Sequence, residues 1–284
     1  MSGTDTSALS DGTVREVNNC SVTGRSLGAR GPRLKGGLGG VPIVFSSEGE
    51  PVEGRLYQPM KPTGRPTLVV SPSRVTTVAE MNWLANPLLA RGYTLLVHGY
   101  RRRGHRYQIR DVADICNAVS WLQENLRRER VPIGLVGHSR GGSASLRAAA
   151  LDRRVKSTAA LSAPTDIARY MNGLREHSPS RYEMLVKAYG GTPDEDPEYY
   201  RAISPLHYAG QIATPVLLVH GSDDMVAPKE NSEWMYAALK ASGNASTRLE
   251  LIEGAGHFFE HRFQAQQFEL IVDLIDRWFT ETSY

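Results

Sequence analysis

Residues 133–142 read Ile133-Gly134-Leu135-Val136-Gly137-His138-Ser139-Arg140-Gly141-Gly142, and the chain continues SASLRAAALDRR to Arg154. A short apolar run breaks at a sharp glycine-bearing turn and gives way to a strong helix former, so the spacing predicts strand, turn and helix around G-x-S-x-G. The requirement is steric. Such a turn forces the serine into a strained backbone conformation that lifts its hydroxyl clear of the sheet. Only glycines two positions to either side, Gly137 and Gly141, let the neighbouring backbones pass. Gly142 fits a close approach of helix to strand. Alone, the pentapeptide is also compatible with a glycine-rich turn carrying an incidental serine.

Outward from this stretch the chain alternates short β-branched runs with longer segments of helical spacing. The runs are TLVV (67–70), YTLLV (93–97), IGLV (133–136), VKSTAAL (155–161), PVLLV (215–219) and TRLELI (247–252), with VPIVF from Val41 and GRLYQP from Gly54 ahead of them. Ile109, Val112, Ile115, Cys116, Val119, Leu122 and Leu126 fall at three- and four-residue steps, as do Phe268, Ile271, Val272, Ile275 and Trp278. Apolar strands separated by amphipathic helices imply an α/β domain, a mainly parallel central sheet covered by helices on both faces. Residues 165–214 are too long for one crossover and read as a lid-like insertion. Residues 1–40 hold nine glycines without periodicity and are expected to form a flexible Gly-rich arm, leaving 41–284 as the domain.

A serine hydroxyl needs a base to take its proton and an acid to hold that base in the right tautomer. With the serine on a strand-turn-helix elbow the partners follow in the order acid, then histidine. PVLLV exits into His220-Gly221-Ser222-Asp223-Asp224-Met225-Val226-Ala227-Pro228, and TRLELI into Glu253-Gly254-Ala255-Gly256-His257-Phe258-Phe259. Both loops lie at carboxyl ends of strands, the edge where open α/β sheets bind ligands. Ser139, one of Asp223 and Asp224, and His257 thereby meet at one edge, although singly each of these aspartates could cap a helix and the histidine could be an ordinary loop residue.

The motifs G-H-S-R-G-G, H-G-S-D-D-M-V-A-P and G-A-G-H-F-F resemble the nucleophile, acid and base motifs of the α/β-hydrolase fold. The variant is most similar to the catalytic domain of prolyl oligopeptidase-like and acylaminoacyl-peptidase-like serine hydrolases, and to dienelactone-hydrolase-type esterases. The segment YGGTPDEDPEYYRAISPLHYAGQIATPVLLVHG carries the same likeness, and its register selects Asp224 as the acid. The resemblance implies a cofactor-free serine hydrolase that cleaves a carboxylic ester or a small amide or peptide bond through an acyl-enzyme on Ser139. It covers the chain from about Val41 onward. Larger peptidases of this group place a β-propeller ahead of the hydrolase domain; here forty residues precede it, and the expected substrates are small molecules or short peptides. The oxyanion hole is expected from the backbone N–H groups of Arg140 and, after the strand TLVV, Ser73, with Arg74 as the fallback. Pro72 in the loop VVSPSRV has no N–H to give.

Residues 98–110, HGYRRRGHRYQIR, hold five arginines. Arg101, Arg102 and Arg103, together with Arg74, are candidates for a cationic rim that would orient an anionic substrate through guanidinium forks; an ordinary solvated basic turn explains them as well. Arg127, Arg128 and Arg130 suit a helix end, and His98, His105 and His138 suit packing roles. Lys+Arg 33 against Asp+Glu 30 is too even to advertise a nucleic-acid or membrane partner. No run reaches membrane-span length, and the start lacks the basic and apolar regions of a signal segment, so a cytoplasmic location is expected. Cys20 and Cys116 match no zinc or disulfide spacing and favour a reducing compartment. No metal or nucleotide cofactor is expected, since HExxH and Walker-type patterns are missing. An acyltransferase or cyclase using the same acyl-enzyme, a non-catalytic binding protein on this scaffold, and a homo-oligomer all stay compatible with the sequence.

Overall fold

The computed structural model describes residues 40–101, 107–126, 131–259 and 267–283, so the expected arm, apart from Gly40, lies outside it. Eight strands form one sheet: β1 (Val41–Ser47), β2 (Glu50–Tyr57), β3 (Thr67–Ser71), β4 (Thr94–His98), β5 (Ile133–His138), β6 (Val155–Leu161), β7 (Val216–Gly221) and β8 (Thr247–Ile252), in the order β1-β2-β4-β3-β5-β6-β7-β8. β1 and β2 join through Glu48 and Gly49, both at positive φ, the two-residue turn whose twist matches a hairpin. β2 pairs antiparallel with β4, and from β4 through β8 every pairing is parallel. This is the mainly parallel α/β-hydrolase arrangement.

The helices are α1 (Asn82–Ala90), α2 (Asp111–Leu126), α3 (Arg140–Leu151), α4 (Ile167–His177), α5 (Pro179–Tyr189), α6 (Pro197–Ile203), α7 (Glu230–Ala241) and α8 (Gln267–Thr282). Alternation along the strands divides the core into two layers. Val69, Leu96, Leu135, Ala160 and Leu218 face one side, where they pack with Ile115 and Val119 of α2, Leu146 of α3 and Met235 and Leu239 of α7. Leu68, Val70, Leu95, Val97, Val136 and Val219 face the other, against Leu84 and Leu88 of α1 and Ile271, Ile275 and Phe279 of α8. Each fully buried Leu or Ile contributes about 1.5–3 kcal/mol of transfer free energy. Among the described residues no helix is long and apolar enough to cross a membrane.

The residues between β6 and β7 break the alternation. α4, α5, α6 and a 3₁₀ stretch (Pro205–Gln211) follow one another there, and Ile167, Tyr170, Met171, Leu174, Leu185, Tyr189, Tyr199, Tyr200 and Ile203 make a third apolar cluster that includes Ala227 of the loop after β7. Cys116, buried on α2, is disulfide-bonded, a correction to the expectation of unpaired cysteines; its partner lies outside the described residues, and the ground for a reducing compartment falls away.

Two histidines end strands and are fully buried. His98 on β4 donates from Nδ1 to the carbonyl of Gly99 at 2.5 Å, which leaves Nε2 to accept the Ser71 hydroxyl at 2.8 Å. His138 on β5 donates from Nε2 to the main-chain carbonyl of His257 at 2.8 Å. Burial lowers both, His98 to about 4 and His138 to about 3. Both rings are therefore neutral in the folded protein, while the unfolded chain takes up their protons below about pH 6.5.

Stability should accordingly fall as pH drops from about 6.5 toward 4, each of the two histidines contributing up to about 1.4 kcal/mol per pH unit, while Asp114, raised to about 6 by burial, offsets up to one such share below pH 6. Denaturant midpoints across that window measure the slope, and His98→Gln should remove roughly one histidine's share. A second expectation concerns packing. A Cβ on Gly134 would lie 2.3 Å from Phe279 Cε1 and 2.8 Å from Leu68 Cδ2. Gly134→Ala should cost about 1–3 kcal/mol by overpacking. Gly173→Ala, in α4 with nothing within 4 Å of the added methyl, should gain about 0.4–1 kcal/mol. Thermal midpoints moving in the same direction for both would contradict the packing account.

Candidate active site

Ser139 stands between β5 and α3 at φ 54° and ψ −116°, a left-handed conformation that costs a non-glycine residue about 1–3 kcal/mol. Its surroundings hold it there. Its N–H donates to the Leu161 carbonyl at the end of β6 at 2.8 Å, and its own carbonyl accepts the Ser143 N–H in the first turn of α3 at 3.1 Å. A Cβ on Gly137 would fall 2.2 Å from the Gly141 carbonyl oxygen, and one on Gly141 would fall 2.1 Å from that of Ser71. At Gly142 the added atom would meet the Ala163 methyl at 2.7 Å. Glycine at all three positions is therefore a condition of the turn, as the sequence reading required.

The loops after β7 and β8 bring two further side chains to this hydroxyl. His257 Nε2 lies 3.0 Å from Ser139 Oγ, and His257 Nδ1 lies 2.7 Å from Asp224 Oδ2. Because Nδ1 faces a carboxylate it carries the proton, and Nε2 is left to accept the serine O–H. Asp224 is buried, and its Oδ1 accepts the N–H groups of Val226 and Ala227, both at 2.8 Å. Burial alone would push its carboxyl up; hydrogen bonds from His220 and His257, with the Ala227 amide, outweigh burial and hold it well below the usual carboxylate range. Asp223 is exposed, and its Oδ1 accepts the hydroxyl of its neighbour Ser222 at 2.9 Å. Geometry thus joins Asp224 to the imidazole and leaves Asp223 outside.

His220 was visible in the sequence only as the marker that sets the register of the acid. In the structure it is wholly buried, with Nε2 3.1 Å from Asp224 Oδ2 and 2.8 Å from the Ala227 carbonyl. Both neighbours accept, so Nε2 carries a proton, and Nδ1 meets the Ser232 hydroxyl at 2.7 Å. Its signal was the residue type itself, a histidine ending a buried strand four positions before a carboxylate.

The oxyanion donors divide. Arg140 opens α3, where main-chain N–H groups have no intrahelical acceptor. Its side chain turns away, donating to both oxygens of Asp111 at 2.8 and 2.6 Å and stacking 4.0 Å from the Tyr100 ring centroid. Ser73 does not fit its expected part. Its N–H donates to Thr76 Oγ1 at 2.9 Å, and its Oγ accepts the N–H groups of Val75 and Thr76, each at 3.2 Å. Ser73 and Thr76 close a side-chain-stabilised turn, which occupies the amide that sequence reasoning had assigned to an oxyanion.

Of the arginines proposed for a rim, Arg102 and Arg103 lie outside the described residues, as do His105, Arg106, Arg127, Arg128 and Arg130. Arg101 is a correction. Its side chain is 2% exposed and points inward, with Nε 2.6 Å from Asp114 Oδ1 and further contacts to Glu48 and the carbonyls of Ser47 and Arg110. Asp114, raised to about 6 by burial that Arg101 only partly opposes, is the other half of this pair. Arg110 is likewise taken up, by Glu50 at 2.5 Å and Glu48 at 3.4 Å. Arg74 alone among the named candidates is described and exposed.

Comparison with known proteins gives the same architecture. The chain superposes on the acylaminoacyl peptidase of Pyrococcus horikoshii with a TM-score of 0.72 at 19% identity, covering 86% of this chain and 42% of that one. On a Pyrococcus furiosus esterase, Pf2001, the TM-score is 0.68 at 20% identity, covering 89% and 97%. In sequence it is 27% identical over 201 residues to Esterase LipC of Mycobacterium tuberculosis, which is 61% of this chain and 47% of that protein. The chain thus spans about half the length of this curated relative or less of others, such as the 13% it matches of the Bacillus subtilis peptidase YuxL. Residues 85–282, more than half of the chain, match the prolyl oligopeptidase family, and to that family the chain belongs.

Proposed function

We propose that the protein is a serine hydrolase that cleaves small carboxylic esters, or small amide or peptide bonds, through an acyl-enzyme on Ser139. The observation that carries this reading is the continuous run of hydrogen bonds from Ser139 Oγ through His257 to Asp224, at 3.0 and 2.7 Å, built on a serine held at positive φ. Membership of the prolyl oligopeptidase family and likeness to an esterase of which the match spans 47% support the same class. The residues from 41 onward then act as one hydrolase domain, with 165–214 as its lid-like wall.

The steps follow from the geometry. Ser139 Oγ attacks the acyl carbonyl as His257 Nε2 takes its proton; Asp224 Oδ2 holds the ring by Nδ1–H and stabilises the imidazolium. The tetrahedral oxyanion is met by the Arg140 N–H and, with the Ser73 amide committed to Thr76, by the N–H of Arg74, each donor contributing about 3 kcal/mol. The proton on Nε2 passes to the leaving group. Water, activated by the same nitrogen, releases the acid and restores the serine. His220 Nε2 donates to the same Asp224 oxygen that His257 holds and helps fix its orientation.

A fluorophosphonate probe should label Ser139, and Ser139→Ala should lose the label while folding normally; a wild-type protein that folds but resists the probe contradicts the reading. Ser139→Gly should also unfold about 1 kcal/mol later than wild type, because glycine is unstrained at this φ. Asp224→Asn should lower kcat on p-nitrophenyl esters by about 10⁴, while Asp223→Asn stays within about threefold of wild type. The opposite ranking would assign the acid to Asp223.

A further inference from the structure

Two arginine side chains that the chemistry leaves unused reach α5, one beside Tyr170 and one at Met184. Tyr170 stands on α4 in the apolar cluster that reaches Ala227, whose amide holds Asp224. The guanidinium carbon of Arg181, on α5, lies 5.9 Å from the Tyr170 ring centroid. Arg74 reaches the same helix: its guanidinium contacts the Met184 sulfur at 4.0 Å, and Met184 is one turn beyond Arg181 on the same face of α5. Arg74 also follows closely on Ser71, whose carbonyl packs against Gly141, two residues after Ser139. The Tyr170 phenol registers the shared field: burial raises it most, Arg181 and then Arg74 lower it, and Asp224 raises it.

Among the described residues, three other arginines of this edge are already paired. Arg101 has Asp114, Arg110 has Glu50 and Arg140 has Asp111. Among the described residues neither Arg74 nor Arg181 meets a carboxylate at ion-pair distance. Arg74 is exposed and Arg181 half-buried, so neither residue is closed off from solvent. Val75, next to Arg74 on the loop after β3, is 62% exposed, and Met225, next to Asp224 on the loop after β7, is 90% exposed.

Resting on the hydrolase reading, we propose that Arg74 and Arg181, both in contact with the α4–α5 layer that carries Tyr170, form a carboxylate clamp that selects esters or amides bearing a free carboxylate a short chain away from the scissile carbonyl. A guanidinium fork matches a carboxylate with two parallel N–H donors, and two such forks select its distance as well as its sign. Replacing the carboxylate by a methyl group leaves both forks hydrated and removes the orientation they impose.

The test compares kcat/KM for two matched pairs: the p-nitrophenyl monoester of glutaric acid against p-nitrophenyl valerate, and acetylated 4-hydroxybenzoate against phenyl acetate. Wild type should favour the anionic member at least tenfold in one pair, and that pair tells whether the acyl or the alcohol side enters the clamp. Arg181→Gln should lower the anionic-to-neutral ratio at least fivefold, Arg181→Lys by less, and 0.5 M salt should lower it in wild type. Ratios near one in both pairs, or a ratio untouched by Arg181→Gln, would overturn the clamp. Neutral-ester turnover and fluorophosphonate labelling read the hydrolase assignment separately. If both are missing, that assignment fails, and calorimetric binding of glutaric acid monoanilide to the Ser139→Ala protein reads the clamp alone. Binding tighter than that of valeric acid anilide, and weakened by Arg181→Gln, supports it; equal binding of the two overturns it.

Discussion

The closeness of three backbones at Gly137, Gly141 and Ser71 governs the site. Any side chain at either glycine would overlap a carbonyl by more than 1 Å relative to ordinary contact, so the crossing exists only because no Cβ is there. Once the strands pass this closely, Ser139 has no room for a relaxed conformation and takes φ 54°. The same crossing places the start of α3 and the loop after β3 on either side of its hydroxyl. Strain at one residue is thus the local cost of bringing the Ser139 hydroxyl and main-chain N–H groups together, and the parallel ladders of β3, β5 and β6 carry it.

Around this crossing, buried charge is matched group by group. Asp111 and Asp114, one turn apart at the start of α2, would be expensive to bury alone; Arg140 and Arg101 meet them at 2.6 Å. Such pairs contribute little net stability compared with apolar packing, yet losing one partner costs about 3–5 kcal/mol. What they fix is position. Arg140 ties the first residue after the nucleophile to α2, and Arg101 ties the chain leaving β4 to the β1–β2 hairpin through Glu48. The described part of the arginine-rich stretch, Arg101 and Arg110, therefore belongs to the scaffold, and the described cations of the proposed clamp lie on the loop after β3 and on α5.

The alternating sheet and the Ser139, His257 and acid loops were legible in the sequence because each depends on short-range patterns: apolar runs, glycines at fixed offsets, and residues at strand ends. Asp223 and Asp224 could not be separated by pattern alone, since both lie in the same turn; the Val226 and Ala227 amides that select Asp224 are a matter of backbone direction. Ser73 failed as a donor because a hydroxyl three residues on, Thr76, competes for its N–H, and such a contact leaves no mark beyond two ordinary polar residues. Arg101 failed because charge runs read alike whether they face water or Asp114. Arg181 escaped notice because its significance comes from Arg74 and Tyr170, distant in sequence and brought together only by the insertion.

That insertion is anchored unevenly. Arg147 of α3, 1% exposed, donates to the carbonyls of Gln108 at 2.7 Å and Ala202 at 3.4 Å, and burial lowers the pKa of its guanidinium. No carboxylate among the described residues lies within ion-pair distance of it, so these carbonyl dipoles are what offset its desolvation. Withdrawing α6 from α3 would strip a buried cation of an acceptor, which makes this end of the insertion part of the rigid scaffold behind Ser139. The α4–α5 end carries Arg181 half-buried and Met184 exposed, and no comparable buried charge pins it. Tyr170 and Arg181, the residues of the proposed clamp, stand at the end without that anchor, while the α6 end is tied through Arg147 to the helix that follows Ser139.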